Sequence, residues 1–286
     1  MTLIAIDLDG TLLSHDGTIS EENREVIKQA QRQGNTIAIS SGRSLHDTQE
    51  ILHLAGLDCS IITGNGAVVF HAGERIQHLI IPVNVMTDIM DLIEKIGLYY
   101  EIYTNQGVYI EEDGKQFLME EIEHMQEQTG NLDVEHAYQM LDTQSKQGGI
   151  TYVPDYHAID FKPLEVYKLF VLSFDQEKRD KLQEQLAKRN DISLTTSGQQ
   201  KLEIAHPKAS KGNALQFFAN YMGIELENTV AMGDNLNDVS MFEVAGLGIA
   251  MGNAEEKLKE VADYVSVHHE NNGVAYGLKK WVLQED

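Results

Sequence analysis

Leu3-Ile4-Ala5-Ile6-Asp7-Leu8-Asp9-Gly10-Thr11 is the stretch on which the fold turns. Its first four residues are apolar without interruption, as in a strand buried on both faces of a parallel sheet. The strand runs straight into two acids and a glycine, which belong in a loop rather than in a core. The same layout returns along the chain. Thr36-Ile37-Ala38-Ile39 leads into Ser40-Ser41-Gly42-Arg43, and Ser60-Ile61-Ile62-Thr63 reads as a third strand. Thr229-Val230-Ala231-Met232 leads into Gly233-Asp234-Asn235-Leu236-Asn237-Asp238. Helical patterns lie between these runs: 21–33 capped by Ser20, 44–55 followed by Gly56, and 211–222 capped by Ser210. Strands at 247–251 and 264–267 and a terminal helix at 273–282 complete the pattern. The fold class expected is α/β, a doubly wound parallel sheet, in which ligands bind beyond the carboxyl ends of the strands.

That alternation is interrupted. A hairpin around His71-Ala72-Gly73 joins 67–70 to 76–81, and after Pro82 the pattern changes. An amphipathic helix at 83–96 precedes a hairpin of 99–103 with 108–112, turning at Asn105-Gln106-Gly107. A strand at 168–174, a helix at 176–188 and strands at 192–196 and 201–205 follow. Helix then hairpin thus occurs twice, as in an α+β module of two related halves with antiparallel pairing. The polar segment 120–156 carries no readable period. The expected division is a core of 1–82 with 207–286, and an inserted α+β domain at 83–206.

A chain of 286 residues has room for two domains, and its 42% hydrophobic content argues for packed cores. No apolar run is long enough to span a bilayer, and the N-terminal residues lack a basic leader. One cysteine, Cys59, permits no internal disulfide and fits a reducing cytoplasmic setting. The net charge of −23 repels nucleic acid and anionic membranes, so neither is an expected partner. It also repels phosphorylated metabolites unless the site carries cations of its own. Nothing in the pattern sets an oligomeric state. The eleven histidines, His268-His269 among them, show no ligand spacing with Cys or acids and read as surface or core residues.

Four motifs carry chemistry. In the loop after the first strand, Asp7 and Asp9 can converge on one Mg²⁺, a cation that takes oxygen ligands and binds substrate phosphate. Gly10 lets the backbone turn so that amides cradle phosphate oxygens. The Ser41 hydroxyl and the Gly42 amide can bond phosphate. Lys211 sits at a helix N-terminus, where the helix dipole disfavours a cation, and that conflict points to a role. Asp234 can ligate a cation, Asn237 can donate to phosphate, and Asp238 can support the metal's waters or orient Lys211. Each motif alone has a plainer reading: a polar turn, a Ser-Gly turn, an exposed surface lysine, a solvated Asn/Asp loop. Their order, each at a strand's end or a helix's start, weighs more than any one of them.

Together these residues resemble the four motifs of the haloacid dehalogenase (HAD) superfamily, and more closely its Cof-like phosphatases with an α/β cap, type IIB. The resemblance spans the chain and includes Asn65-Gly66-Ala67 after the third strand. Ser41 stands where many relatives have Thr, and either hydroxyl can bond phosphate. The resemblance implies that Asp7 is the nucleophile that forms an aspartyl-phosphate and also binds Mg²⁺. It implies that Asp9 is the general acid/base and lends its backbone carbonyl to the metal. Asp234 becomes a metal ligand, with Asn235 and the supporting acid Asp238 close by. Leu8 (through its amide), Ser41, Gly42, Lys211 and Asn237 become the phosphate clamp, and Arg43 and Asn65 substrate contacts. The substrate implied is a small phosphate monoester, a sugar phosphate or related metabolite. Alternatives are a phosphomutase of the same superfamily, a non-catalytic phosphate-binding regulator, and a phosphate-accepting receiver module. The last lacks a counterpart of Asp9 and of the large insertion.

Overall fold

The computed structural model describes residues 1–283. The chain divides into two units, Met1–His78 with Lys208–Asp286, and Leu79–Pro207. The first segment runs β1 (Leu3–Asp7), α1 (Glu21–Arg32), β2 (Thr36–Ser40), α2 (Leu45–Leu54), β3 (Ser60–Thr63), β4 (Val68–His71) and β5 (Glu74–His78). The second unit holds α3 (Val83–Ile96), β6 (Tyr99–Thr104), β7 (Gly107–Glu111), α4 (Gly114–Thr129), α5 (Val134–Ser145) and β8 (Ile150–Val153). It continues with β9 (Val166–Leu172), α6 (Gln176–Leu186), β10 (Ser193–Thr195) and β11 (Lys201–Ala205). The chain then returns to the first unit with α7 (Lys211–Met222), β12 (Thr229–Gly233), α8 (Val239–Phe242), β13 (Leu247–Ala250), α9 (Glu256–Lys259), β14 (Tyr264–Val265) and α10 (Gly273–Gly277).

The first unit is an eight-stranded sheet in the order β14-β13-β12-β1-β2-β3-β4-β5. Strands β14 through β3 are parallel, and β4 and β5 add an antiparallel edge. The winding reverses at β1: β2 and β3 follow on one side, β12 to β14 on the other. That is the switch point at which such sheets open a crevice. Because the central strands are parallel, Asp7, Ser40, Thr63 and Gly233 all end at one edge, with Asp7 in register with Ser40.

The two-residue alternation of β1 sorts its side chains. Ile4 and Ile6 pack with Val26, Ile27 and Ala30 of α1, whereas Leu3 and Ala5 pack with Ala214, Leu215 and Phe218 of α7. Asp7 therefore lies on the α7 side. Helix α7 starts where Ser210 Oγ accepts from the Asn213 amide at 3.1 Å, which sets Lys211 as its first residue. The capping expected of Ser20 is also present, with Oγ accepting from the Asn23 amide at 3.2 Å.

The second unit is a six-stranded sheet, β10-β11-β9-β6-β7-β8. Its pairing departs from the expected pattern at one place: β7 and β8 are parallel. One face buries Tyr100, Ile102, Leu169 and Val171 against Ile89 and Ile93 of α3 and Leu182 and Leu186 of α6. On the other face Glu101, Lys168 and Glu203 are buried. Lys168 Nζ lies 2.8 Å from Glu203 Oε2 and 4.0 Å above the Tyr103 ring. Glu101 accepts from Tyr99 Oη (2.7 Å) and from the Gln144 and Gln147 amides (2.9 Å each). The stretch that showed no period is thus α4, α5 and β8. Much of what anchors it is polar, and its apolar stripe is thin: Leu118, Ile122, Ala137 and Leu141.

One expected element is shorter: the last strand is Tyr264–Val265. The terminal helix spans the expected residues, α10 continuing as a wider helical turn over Leu278–Val282, and the Leu283 amide bonds the Leu278 carbonyl at 2.8 Å. Among the described residues no helix is long and apolar enough to cross a membrane.

The Lys168–Glu203 pair gives a stability test. Lys168→Ala leaves Glu203 buried without its cation and should cost about 3–5 kcal/mol in denaturant unfolding. Replacing both by apolar residues of similar volume should recover most of that loss. Equal destabilisation by the single and double variants would contradict it.

Candidate active site

Three carboxylates and a lysine meet at the carboxyl edge of β1 and β12. Lys211 is 1% exposed, and its Nζ lies 2.5 Å from Asp7 Oδ1 and 2.5 Å from Asp238 Oδ1. It is not an exposed surface lysine. Burial opposes its charge, but Asp238 and Asp7 outweigh burial and hold it firmly protonated. Asp7, Asp234 and Asp238 each offer an oxygen within 4.8 Å of the other two. Burial pushes the Asp7 carboxyl well above the usual range, and Asp238 reinforces the shift while Lys211 opposes it. Asp234 is pushed up to about 7 by burial and by Asp238.

The loop after β12 is shaped by Asp238. Its Oδ2 accepts from the amides of Asp234 and Asn235, at 3.0 Å each, and its Oδ1 holds Lys211. Asn235 turns its side chain to the Leu236 amide at 2.7 Å. Asn237 donates from Nδ2 to Asn65 Oδ1 at 3.2 Å, and its own Oδ1 is buried with no hydrogen-bond partner.

After β1 the chain makes a wide turn closed by the Leu13 amide on the Leu8 carbonyl at 2.9 Å. Gly10 sits there at φ 75°, and a Cβ on it would lie 2.4 Å from Asp234 Oδ2. Both conditions require glycine. Thr11, given no role by sequence, donates from Oγ1 to Asp234 Oδ1 at 2.9 Å. Asn253, which no motif marks, donates to the Gly10 carbonyl at 2.8 Å.

One expectation is corrected here. The carboxylates of Asp7 and Asp9 do not converge. Asp7 is 5% exposed, whereas the Asp9 side chain is 56% exposed and forked by Arg43, from Nε at 2.9 Å and Nη2 at 2.7 Å. The backbone explains it: Asp9 is extended (φ −80°, ψ 122°), so its side chain leaves the turn on the side of the Arg43 loop. Arg43 also reaches Asp47 Oδ2 at 2.7 Å. Burial works against the guanidinium charge, but Asp9 and Asp47 outweigh it. Asp47 belongs to none of the sequence motifs; its i,i+4 spacing from Arg43 is the one signal the sequence carries for this pair.

Ser41 is 1% exposed, and its Oγ accepts from the Arg43 amide at 3.1 Å, leaving the hydroxyl proton to donate elsewhere. Gly42 lies between them. Asn65 holds a left-handed turn (φ 54°) with its amide donating to the Ser41 carbonyl at 3.2 Å. The structure therefore gathers Asp7, Lys211, Asp234 and Asp238 in one cluster, and Ser41, Asn65 and Asn237 are linked by backbone and amide bonds at the same edge. It sets the Asp9 carboxylate apart on Arg43.

The sequence pattern of the haloacid dehalogenase-like hydrolases matches residues 4–278. The chain belongs to that family. It is 35% identical over 282 residues to the phosphatase YwpJ of Bacillus subtilis (strain 168), covering 98% of this chain and 99% of that one. It is 37% identical over 277 residues to YwtE of the same strain, named a 5-amino-6-(5-phospho-D-ribitylamino)uracil phosphatase, covering 96% of each. A solved haloacid dehalogenase-like hydrolase from B. subtilis matches at a TM-score of 0.86 and 35% identity, over 99% of this chain and 100% of that chain. The protein is a Cof-like HAD hydrolase of the phosphatase class.

Gly10→Ala should force Asp234 and the turn apart. Displacement by about 1 Å is enough to cost roughly a hundredfold in rate. Steady-state hydrolysis of para-nitrophenyl phosphate, beside a thermal melt showing a folded variant, checks this. Wild-type activity in Gly10→Ala would remove the contact with Asp234 from the requirements of the site.

Proposed function

We propose that the chain hydrolyses small phosphate monoesters with Mg²⁺ through an aspartyl-phosphate on Asp7. The observation that carries this reading is the charge imbalance around Lys211: one buried cation is shared by two carboxylates, with a third, Asp234, beside them.

The donors fit Mg²⁺. They are hard carboxylate oxygens, and Asp7 and Asp234 are both shifted upward by burial and by the neighbouring Asp238. Asp7, Asp234 and the Asp9 carbonyl would hold the ion, with Asn235 beside it. Asp238, whose oxygens serve Lys211 and two amides, supports from behind. Bound Mg²⁺ would neutralise the phosphoryl oxygens and the attacking carboxylate.

The remaining work falls to the chain. Lys211 spends two of its three protons on Asp7 and Asp238, which leaves one for a phosphoryl oxygen. The Ser41 hydroxyl, the amides of Leu8 and Gly42, and Asn237 complete the clamp. Asp7 attacks phosphorus, the bond to the leaving oxygen breaks, and Asp9 protonates that oxygen. Asp9 then takes a proton from the water that cleaves the aspartyl-phosphate, freeing Asp7. Asp9 has both oxygens on Arg43, so Arg43 must turn away before Asp9 can reach a leaving group. Once turned, Arg43, with Asn65, is available to the substrate. We assign Leu79–Pro207 the part of the inserted cap. The name of YwtE makes phosphorylated polyol and sugar-like metabolites the first class to assay. The single cysteine favours a cytoplasmic setting.

Asp7→Asn should lower release of inorganic phosphate by at least about a thousandfold. Wild-type protein quenched in acid during turnover should carry phosphate on Asp7, and EDTA should stop both. Retained activity in Asp7→Asn, or turnover in EDTA, would overturn the mechanism. Transfer to a second sugar position without net phosphate release would identify a mutase.

A further inference from the structure

His15, His269 and Glu270 lie outside the acidic cluster and have no part in the proposed reaction. They come from the turn after β1 and the loop before α10, yet one ligand atom of each lies within 4.8 Å of the other two. Glu270 Oε1 is 3.9 Å from His15 Nε2 and 3.6 Å from His269 Nδ1, and the two rings meet edge to face at 5.1 Å. The expectation of unrelated histidines overlooked this, because the three are brought together by the fold and not by spacing. We propose that they form a binding site for a zinc-class divalent cation, separate from the carboxylate site.

The donor set decides the class of ion. Two imidazoles and one carboxylate are a protein ligand set found for zinc, with a fourth position left to water. Magnesium prefers oxygen alone, so it should keep to Asp7 and Asp234. One of its rings is held in place. His269 is 7% exposed, and its Nδ1 lies 2.8 Å from the Leu13 carbonyl. A carbonyl only accepts, so Nδ1 carries the proton and Nε2 keeps a lone pair, the arrangement that outer contacts impose on metal-binding histidines. Glu270 Oε1 accepts from the His15 amide at 2.6 Å, which holds the two loops together. The Glu270 amide bonds His268 Nδ1 at 3.2 Å, and the His268 ring stacks on His269 at 4.7 Å. To complete the set, the His15 side chain, 80% exposed, has to turn, and Glu270, which lies nearest the Nδ1 edge of His269, has to swing toward Nε2.

The site reaches the catalytic turn by two bonds. The His269 amide donates to Asn253 Oδ1 at 3.0 Å, and Asn253 donates to the Gly10 carbonyl at 2.8 Å. An ion that fixes His269 therefore also steadies the turn that Asp234 abuts.

The test uses the full chain saturated with Mg²⁺, so that the acidic site is filled. Calorimetric titration with Zn²⁺ should show one site per chain, and Co²⁺ in its place should give the visible absorption of a four-coordinate ion. His15→Ala and Glu270→Gln should each weaken Zn²⁺ by 10–100-fold or more, at least what losing an outer contact costs. His15 is exposed, and Gln keeps an oxygen for the His15 amide, so both variants should fold. Asp234→Asn should leave Zn²⁺ binding unchanged, which separates this site from the proposed Mg²⁺ site. Absence of Zn²⁺ uptake by Mg²⁺-saturated protein, uptake that survives His15→Ala, or uptake lost in Asp234→Asn would each overturn the proposal.

Discussion

Lys211 between Asp7 and Asp238 is the contact around which the first unit is arranged. To place its ammonium there, α7 must start at the sheet's carboxyl edge and lie close to the loop after β12. That closeness explains Gly212, where a Cβ would sit 2.0 Å from the Ser240 carbonyl oxygen. The Gly212 amide instead donates to Ser240 Oγ at 3.0 Å. The loop cannot drift either, because the carboxylate that holds Lys211 also holds two of the loop's own amides. Helix start, strand end and loop are locked by one charge.

Such an arrangement adds little to stability. Desolvating the ions largely offsets their attraction, while removing one partner leaves a buried charge that costs several kcal/mol. The second unit holds the comparison. Lys168 and Glu203 are as deeply buried, with Glu101 buried on the same face. At Lys211 three acids meet one cation, and burial, reinforced by Asp238, raises the Asp7 and Asp234 carboxyls. Burial is common to both groups; what the first adds is three carboxylates with oxygens within 4.8 Å of one another, close enough to share one ion.

What the sequence made legible follows the same physics. Parallel strands buried on both faces give uninterrupted apolar runs, so β1, β2, β3 and β12 could be read, and with them the edge where the motifs gather. Ser20 and Ser210 could be read because caps act through neighbouring amides. Glu120–Tyr156 could not, since Glu101 meets Gln144 and Gln147 across the fold and polar contacts leave no period. The destination of the Asp9 carboxylate was hidden for a similar reason. Whether it turns to a metal or to Arg43 depends on the φ and ψ of one residue in a turn, which composition does not encode. His15 and His269 met only because α10 closes on the turn after β1.

The field within the site bears on how an anion enters it. The chain is strongly acidic, and the two cations at the carboxyl edge are already engaged, Lys211 by Asp7 and Asp238, and Arg43 by Asp9 and Asp47. With Asp234, five carboxylates stand against two cations. A phosphate dianion approaching the chain alone meets a field of its own sign, in surroundings whose low polarity strengthens the repulsion. The proposed clamp donors, such as Ser41 and the loop amides, would orient a phosphate but carry no net charge to draw it in. A carboxylate nucleophile is thus workable only where added positive charge offsets it. Acids in excess of the site's own cations are therefore a condition of the proposed chemistry: they are what would hold the ion that makes Asp7 able to approach phosphorus.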